Sequence, residues 1–476
     1  MKKLFGTDGM RGEAGRFPLD AQTIWTTGRS LAHRLAARTD GGRAPRIIVG
    51  RDTRESGEWI ERAFTRGAQA VGAACESAGV ITTPGVAFLT RALPADAGVV
   101  ISASHNPYQD NGIKIFVPTG RKLDDATERL IEADIQQARS SNEAHAAEHP
   151  SSTSQKIEID EEAKQQEGTR DAGQRAAVLQ ARYSDYLAEE AAAGLRLDGL
   201  RMVVDCANGA ASHLAPALFA RLGAQVSAVN NTPDGQNINR ECGSLYVERL
   251  REKVFAEQSD LAVAFDGDAD RALFLDARGQ VVDGDATLWV MAKSFQARGE
   301  LVGEQVVATV MSNIGLELAL RSRGIEMLRT DVGDKYVLEE LLRTGATLGG
   351  EQSGHIIFPR ASLAGDGMTT TLFLLRAMRE ANASLEQLTE GFTRYPQVLV
   401  NVHVGEKRPF QEVAEIAAEA HQTESLLAGK GRLLLRYSGT EPLARIMIEG
   451  QRQDEIERLA KNLATVIGRT LGNGKQ

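Results

Sequence analysis

The chain has 476 residues, with 55 Lys and Arg against 64 Asp and Glu, a formal net charge of −9 and 42% apolar residues. That length allows about three or four domains, and the apolar share allows a sizeable core. The acidic balance argues against general nucleic-acid binding. Three scattered cysteines (Cys75, Cys206, Cys242) argue against a disulfide framework or a thiolate zinc site.

No apolar run reaches the ~20 residues of a membrane span. The opening MKKLFGTDGMRG lacks the apolar stretch of a signal peptide, so a soluble cytoplasmic protein is expected. Asp20 is placed to cap a helix running to about Arg38, with Ile24, Leu31 and Leu35 on its apolar side. RIIVG (46–50) predicts a strand, the spacing of Ile60, Phe64, Ala68 and Val71 a helix within 55–78, and AGVVISAS (97–104) a further strand. This alternation predicts a mainly parallel sheet covered by helices.

Residues 139–176 are polar, rich in Ser, Glu and Gln, and read as a mobile surface insertion with a short IEI strand. His145 and His149 lie in it and read as solvated loop histidines. The rhythm then resumes with MVVDCANGA (202–210), AQVSAVN (224–230) and LAVAF (261–265). It returns again in VVATVMSN (306–313), IEMLRT (325–330) and a helix through Arg343. VLVNVHV (398–404) alternates apolar and polar residues, as a half-buried antiparallel strand does. A helix at 409–420, two strands and a last helix from Asp454 complete a smaller α+β part. The predicted fold is therefore α/β: three similar mixed α/β domains at 1–138, 177–298 and 299–390, then an α+β domain at 391–476.

Five stretches carry chemistry. DGDADR (266–271) follows a predicted strand and gathers Asp266, Asp268 and Asp270. Like charges at close range need a cation or solvent between them. Arg271 at the sixth place and Ala277 at the twelfth exclude a calcium EF-hand, whereas three oxygen ligands with room for a fourth suit Mg²⁺. ISASHNP (101–107) offers Ser102 and Ser104 beside His105, with Lys114 further on, and lacks the G-x-S-x-G elbow of an esterase. GGEQSGHIIFP (349–359) groups Glu351, Ser353 and His355 among glycines, as a sugar-hydroxyl loop or a plain glycine turn. LLLRYSGTEPLARIMIEG (433–450) sets Arg436, Ser438, Gly439, Thr440 and Arg445 around a tight turn, either a phosphate grip or a surface hairpin. FGTDGMRG (5–12) brings Arg11 among glycines but lacks the P-loop lysine.

In this order the five stretches resemble the α-D-phosphohexomutase family, over essentially the whole chain except 139–176. The resemblance implies four domains around a central active-site cleft. It implies Ser104 as a phosphorylated nucleophile, and one Mg²⁺ held by Asp266, Asp268, Asp270 and the phosphate on Ser104. Lys114 is the implied acid/base with His105 in support, while Arg11 and Arg271 hold Ser104 and its phosphate. Substrate binding falls to Lys335, Glu351, Ser353, His355, Arg436, Ser438, Gly439, Thr440 and Arg445. DVGDKYV carries Lys335 where the nearest members have Arg, which keeps the charge but not the bidentate geometry.

FGTDGMRG, VVDCANGA and GEQSGH are nearest to the bacterial branch acting on glucosamine phosphates, with a glucosamine 1,6-bisphosphate as intermediate and primer. Glucose or mannose phosphates remain the alternative substrates. A Mg²⁺-dependent sugar phosphatase and a non-catalytic sensor are rivals of other kinds. The implied partners are a small sugar phosphate, a second copy of the chain in a homodimer, and a kinase or autophosphorylation for the first phosphate. Neither nucleic acid nor membrane is among them.

Overall fold

Strand-forming runs in the first 120 residues assemble one six-stranded sheet. Its members are β1 (Phe5–Gly6), β2 (Gly9–Glu13), β3 (Arg46–Arg51), β4 (Ala74–Val80), β5 (Ala97–Ile101) and β6 (Asp110–Phe116), in the order β1-β2-β6-β5-β3-β4. Ile47, Ile48 and Val49 of β3 are fully buried, as a central strand covered on both faces requires. The helix Ala21–Ala36 starts where expected, because the Asp20 side chain accepts the Thr23 N–H at 3.0 Å. The structure is a computed structural model and describes residues 3–6, 8–38, 42–148, 165–438 and 441–472, without the side chains of 142–148 and 165–172.

A second sheet joins β7 (Arg201–Asp205), β8 (Gln225–Val229), β9 (Leu261–Phe265), β10 (Ala272–Asp276) and β11 (Val281–Val282), ordered β11-β10-β9-β7-β8. A third joins β12 (Gln305–Thr309), β13 (Glu326–Thr330), β14 (Gly349–Gly350) and β15 (Ile356–Ile357), ordered β13-β12-β14-β15. The last has three strands, β16 (Gln397–His403), β17 (Arg432–Tyr437) and β18 (Leu443–Glu449), all antiparallel in the order β16-β18-β17. By internal contacts the chain divides into a unit of residues 1–311 with 328–390 and a unit of 312–327 with 391–476. In the second unit Glu449 is fully buried and accepts from Ile314 N at 3.1 Å and Arg432 Nε at 3.1 Å, tying the helix Ile314–Ser322 to the sheet.

Three expectations need correction. The sheets are mixed rather than mainly parallel. β3 runs parallel to β4 and β5, but β5-β6, β6-β2 and β2-β1 are antiparallel. A tight turn can join antiparallel neighbours, whereas parallel ones need a crossover helix. Helix was expected within 55–78, yet it covers only Gly57–Gln69. Gly72 turns the chain at φ 85°, and Ala74–Val80 becomes a parallel edge strand. The polar stretch 139–176 is helical in its described parts, within Asp125–Glu148 and Gln165–Asp185. Ala, Gln, Glu and Arg are good helix formers. Buried Ile131 and Ile135 on one side, and Leu179 and Tyr183 on the other, anchor the two helices. The IEI run, His149 and the side chain of His145 lie outside the described residues.

Cys206 and Cys242 are buried and Cys75 half-buried, and burial pushes the thiols of Cys75 and Cys242 up to about 12. They act as small apolar side chains. Among the described residues no helix is long and apolar enough to cross a membrane.

The helices Ala21–Ala36 and Gly57–Gln69 touch backbone to backbone at two glycines. A Cβ on Gly28 would lie 2.1 Å from the Phe64 carbonyl oxygen, and one on Gly67 2.0 Å from that of Trp25. Gly28→Ala should therefore lower stability by about 1–3 kcal/mol through overpacking, although alanine is the better helix former. A thermal midpoint equal to wild type would show that the two helices can part without cost.

Candidate active site

Each sheet closes with an antiparallel hairpin, and the chemical motifs sit at the hairpin turns. Ser102–Gln109 joins β5 to β6, and Asp266–Arg271 joins β9 to β10. Glu351–His355 joins β14 to β15, and the RYSGTEP turn joins β17 to β18. In the first unit three of these turns meet. Ser104 is fully buried, holds a left-handed φ of 54°, and donates its hydroxyl to Asp266 Oδ2 at 2.6 Å. His105 Nδ1 stands 3.4 Å from the same Oγ. Burial, with Arg271 and Arg11 nearby, lowers the His105 pKa to about 4, so the ring is neutral.

Asp266, Asp268 and Asp270 are buried, each offering an oxygen within 4.8 Å of the others. Burial and the charges of Asp270 and Asp268 raise the Asp266 pKa well above the carboxylate range. Burial acts the same way on Asp270, but Lys114, His355 and Arg271 outweigh it and hold Asp270 well below that range. Lys114, on β6, spans the cluster. Its Nζ lies 2.8 Å from Asp268 Oδ2, 3.3 Å from Asp270 Oδ2 and 3.1 Å from Asp8 Oδ2. Thr83 Oγ1 donates to Asp268 Oδ2 at 2.5 Å. Among the described residues the buried oxygens Asp268 Oδ1 and Asp270 Oδ1 have no hydrogen-bond partner. Three hard oxygen donors, two with an unfilled position, fit a divalent cation of the magnesium kind.

The positive side chains are placed by the same network. Arg11, on β2, pairs with Asp8, and Arg271 Nε is 3.7 Å from Asp270 Oδ1. Asp8 also binds Lys122, which reaches on to Asp334. Asp8, Lys122, Thr83 and Asp334 escaped the sequence reading. Asp8 stands in plain view inside FGTDGMRG, between the glycines and Arg11. Nothing local marks the other three, whose partners lie 100 or more residues away in the chain.

The third turn presents its groups differently from expectation. Glu351 Oε1 accepts the Gly333 N–H at 3.1 Å, and its Oε2 accepts the Ser353 hydroxyl at 3.3 Å. His355 is 4% exposed. Its Nε2 is 3.1 Å from the Gly365 nitrogen and its Nδ1 is 3.6 Å from Asp270 Oδ1, and despite burial the charges of Asp270 and Asp334 raise its pKa to about 9. The imidazole thus braces the acidic turn. Lys335 pairs with Asp125 at 2.6 Å and lines a cavity of about 530 Å³ with Lys122, Asp334, Phe116 and Leu338. That cavity does not include Ser104 or the acidic turn.

In the second unit Arg436 and Arg445 face each other across β17 and β18. Like charges directly opposite on neighbouring strands are unfavourable until an anion joins them. Arg445 Nη2 is 3.4 Å from Ser438 Oγ and 3.2 Å from Glu441 Oε2, and its buried Nε has no hydrogen-bond partner among the described residues. Gly439 and Thr440 lie outside the described residues.

Three mixed sheets and one antiparallel sheet, each with a motif at a hairpin turn, and a serine set on a buried acidic triad define a phosphohexomutase. Residues 2–142, 181–279 and 283–395 match the phosphoglucomutase/phosphomannomutase alpha/beta/alpha domains I, II and III, and 399–466 match its C-terminal domain. The chain belongs to the phosphoglucomutase/phosphomannomutase family. It is 47% identical over 471 residues to a phosphoglucosamine mutase of Solibacter usitatus, covering 99% of both chains. It is 45% identical to that of Syntrophotalea carbinolica, covering 99% of this chain and 98% of the relative. Among solved structures, a family protein from Burkholderia thailandensis superposes with a TM-score of 0.75 at 23% identity, over 98% of this chain and 97% of that one. N-acetylphosphoglucosamine mutase of Aspergillus fumigatus, in complex with GlcNAc-6P and magnesium, gives 0.60 at 20% identity, over 98% and 95%.

The triad makes a direct thermodynamic prediction. Mg²⁺ should raise the thermal midpoint of the wild type, by an amount equivalent to about 2.7 kcal/mol at a hundredfold excess over Kd. Asp266→Asn should abolish that response, while its metal-free form melts no lower than metal-free wild type, because burial and Asp268 and Asp270 already disfavour the charged form of Asp266 and a neutral amide takes its place. An undiminished Mg²⁺ response in this variant would place the cation elsewhere.

Proposed function

We propose that this chain interconverts glucosamine 6-phosphate and glucosamine 1-phosphate, with a phosphoryl group carried on Ser104. The observation that carries the reading is Ser104 Oγ at 2.6 Å from Asp266 inside the buried triad. The 47% and 45% identity to phosphoglucosamine mutases over nearly the full length supports the amino-sugar substrate.

In the forward direction the Oγ–P bond of phospho-Ser104 breaks as a P–O bond forms to the sugar's C1 hydroxyl. The product is glucosamine 1,6-bisphosphate. The hydroxyl gives up its proton, and Ser104 Oγ takes one. After the bisphosphate turns, the reverse transfer from its C6 phosphate restores phospho-Ser104 and leaves glucosamine 1-phosphate. Phosphoryl transfer asks mainly for positioning and charge stabilisation. A Mg²⁺ held by Asp266, Asp268, Asp270 and an oxygen on Ser104 would draw charge from the phosphoryl group.

His105, 3.4 Å from Oγ, is placed to take and return the serine's proton. Lys114 sits among three carboxylates and serves there as a fixed positive charge. This departs from the sequence reading, in which Lys114 was the acid/base. Arg271 and Arg11 supply charge for the transferring phosphoryl group. Glu351 and Ser353, half-exposed on the third turn, offer acceptors and a donor to the sugar. Arg436, Ser438 and Arg445, with Gly439 and Thr440, grip the phosphate that is not being transferred. The reaction would serve amino-sugar nucleotide and cell-wall synthesis in the cytoplasm.

A coupled mutase assay with glucosamine, glucose and mannose 6-phosphates tests the reading. Turnover fastest on the glucosamine substrate supports it. Release of inorganic phosphate at the turnover rate would indicate a phosphatase instead. Ser104→Ala should lose turnover and the phosphate seen by peptide mass spectrometry, and retention of both would reject Ser104 as carrier. Arg436→Ala removes a charge-assisted contact worth about 1.5–3 kcal/mol. Its KM for glucosamine 6-phosphate should rise about 10- to 100-fold with Ser104 still phosphorylated, and an unchanged KM would put the phosphate grip elsewhere.

A further inference from the structure

We infer that Arg54, with Asn239, is the positioning device of the serine nucleophile. The inference rests on the reading of Ser104 as the phosphoryl carrier. Arg54 is 2% exposed, and none of its guanidinium bonds goes toward solvent. Nη2 donates to the carbonyl of Ser104 at 3.0 Å and to that of Asn106 at 2.9 Å, Nη1 donates to the carbonyl of Pro107, and Nε donates to Asp52 Oδ2 at 2.9 Å. From the second sheet's domain, Asn239 Nδ2 reaches the same two carbonyls, Ser104 at 2.8 Å and Asn106 at 3.1 Å.

The other side of the serine is tied through the same carboxylate. Asp52 Oδ2 accepts the Ser102 hydroxyl at 2.7 Å, and Ser102 Oγ accepts the Ser104 N–H at 2.9 Å. Both backbone groups of Ser104 are therefore held: the N–H through Ser102 to Asp52, the carbonyl by Arg54 and Asn239. A left-handed φ at a non-glycine residue persists only when its surroundings over-determine it. The rotation about Cα–Cβ is what remains, and it points Oγ at Asp266. The acidic turn is shaped to fit, since a Cβ on Gly267 would lie 2.6 Å from the Ser104 carbonyl oxygen.

This gives roles to Ser102 and to Gly267 of DGDADR that the transfer chemistry does not use. It also makes the nucleophile a joint product of two domains. Thr53 Oγ1 on the carbonyl of Asn208 (2.6 Å) and Glu55 N on that of Gly235 (3.0 Å) join the Arg54 loop to the domain that carries Asn239. A planar five-donor guanidinium suits three converging carbonyls, and an ammonium reaches fewer of them.

The test measures steady-state mutase kinetics, with and without millimolar guanidinium, for wild type, Arg54→Ala, Arg54→Lys and Asn239→Ala. A misplacement of about 1 Å costs on the order of a hundredfold in rate. Arg54→Ala should lose about that factor in kcat, with KM changed less than about threefold. Arg54→Lys should fall between it and wild type. Guanidinium should restore part of kcat in Arg54→Ala and raise it in none of the other three proteins, because only that variant leaves a guanidinium-shaped space. A folded Arg54→Ala with wild-type kcat, or a loss that guanidinium leaves untouched, would overturn the inference.

If Arg54→Ala does not fold, Asn239→Ala decides. Kcat about tenfold lower at constant KM supports the clamp, and an unchanged kcat rejects it. Amide exchange across residues 102–109 is followed in the same proteins without substrate. Faster exchange in a variant that has lost kcat supports the clamp, and exchange equal to wild type counts against it. A wild type without mutase turnover overturns the functional reading instead.

Discussion

Buried negative charge is the constraint on which the rest of this protein depends. Asp266, Asp268 and Asp270 are packed into one six-residue turn, with Asp8 nearby. Taking an ion out of water costs on the order of several kcal/mol even after relaxation. The chain answers with alternation. Asp268 meets Lys114, Lys114 meets Asp8, Asp8 meets Lys122, and Lys122 meets Asp334. Each cation shares two or more carboxylates, so no charge in this row stands alone. Two carboxylate oxygens are still left over. They make the cluster receptive to a divalent cation, and they explain why a site for anionic substrate can be built around an acidic core.

The hairpin turn is how the fold delivers this cluster. In the first and second sheets a central parallel trio is followed by an antiparallel partner, β6 beside β5 and β10 beside β9. A parallel neighbour would require a crossover and would send the chain away over the sheet. An antiparallel one returns at once, so the connecting turn is short and both of its ends are hydrogen-bonded. Ser104 and the three aspartates gain their positions from that rigidity. The 2.6 Å contact between them joins turns 162 residues apart.

The third turn is integrated in the same way. His355 holds the acidic turn through Asp270, while Glu351 holds the backbone at Gly333. Residues that look from the sequence like ligands for a sugar are thus partly engaged in bracing. What is left for substrate is the half-exposed rim of the turn. The register of β17 and β18 in the second unit sets Arg436 and Arg445 face to face. An anion between them would relieve their repulsion, as a cation would relieve that of the aspartates.

Much of this was legible in the residues alone. Apolar runs such as LAVAF and RIIVG could only be buried strands, and three aspartates at alternate places could only be solvated or metal-binding. Composition and periodicity act locally, so they determined which segments would be strands, which would be helices and which turns would carry charge. They also suggested helix for 55–78 and a loop for 139–176. The first was cut short by Gly72. The second was overruled in its described parts by helix-forming residues anchored on Ile131, Ile135, Leu179 and Tyr183. Tertiary structure alone decided the partners. Lys122, Thr83, Asp334, Arg54 and Asn239 carry no local mark of their roles, because each acts through a residue distant in the chain. It also decided that Lys114 is an enclosed charge and that His355 is a brace. Burial and the identity of neighbouring charges set those properties, and neither exists until the chain has folded.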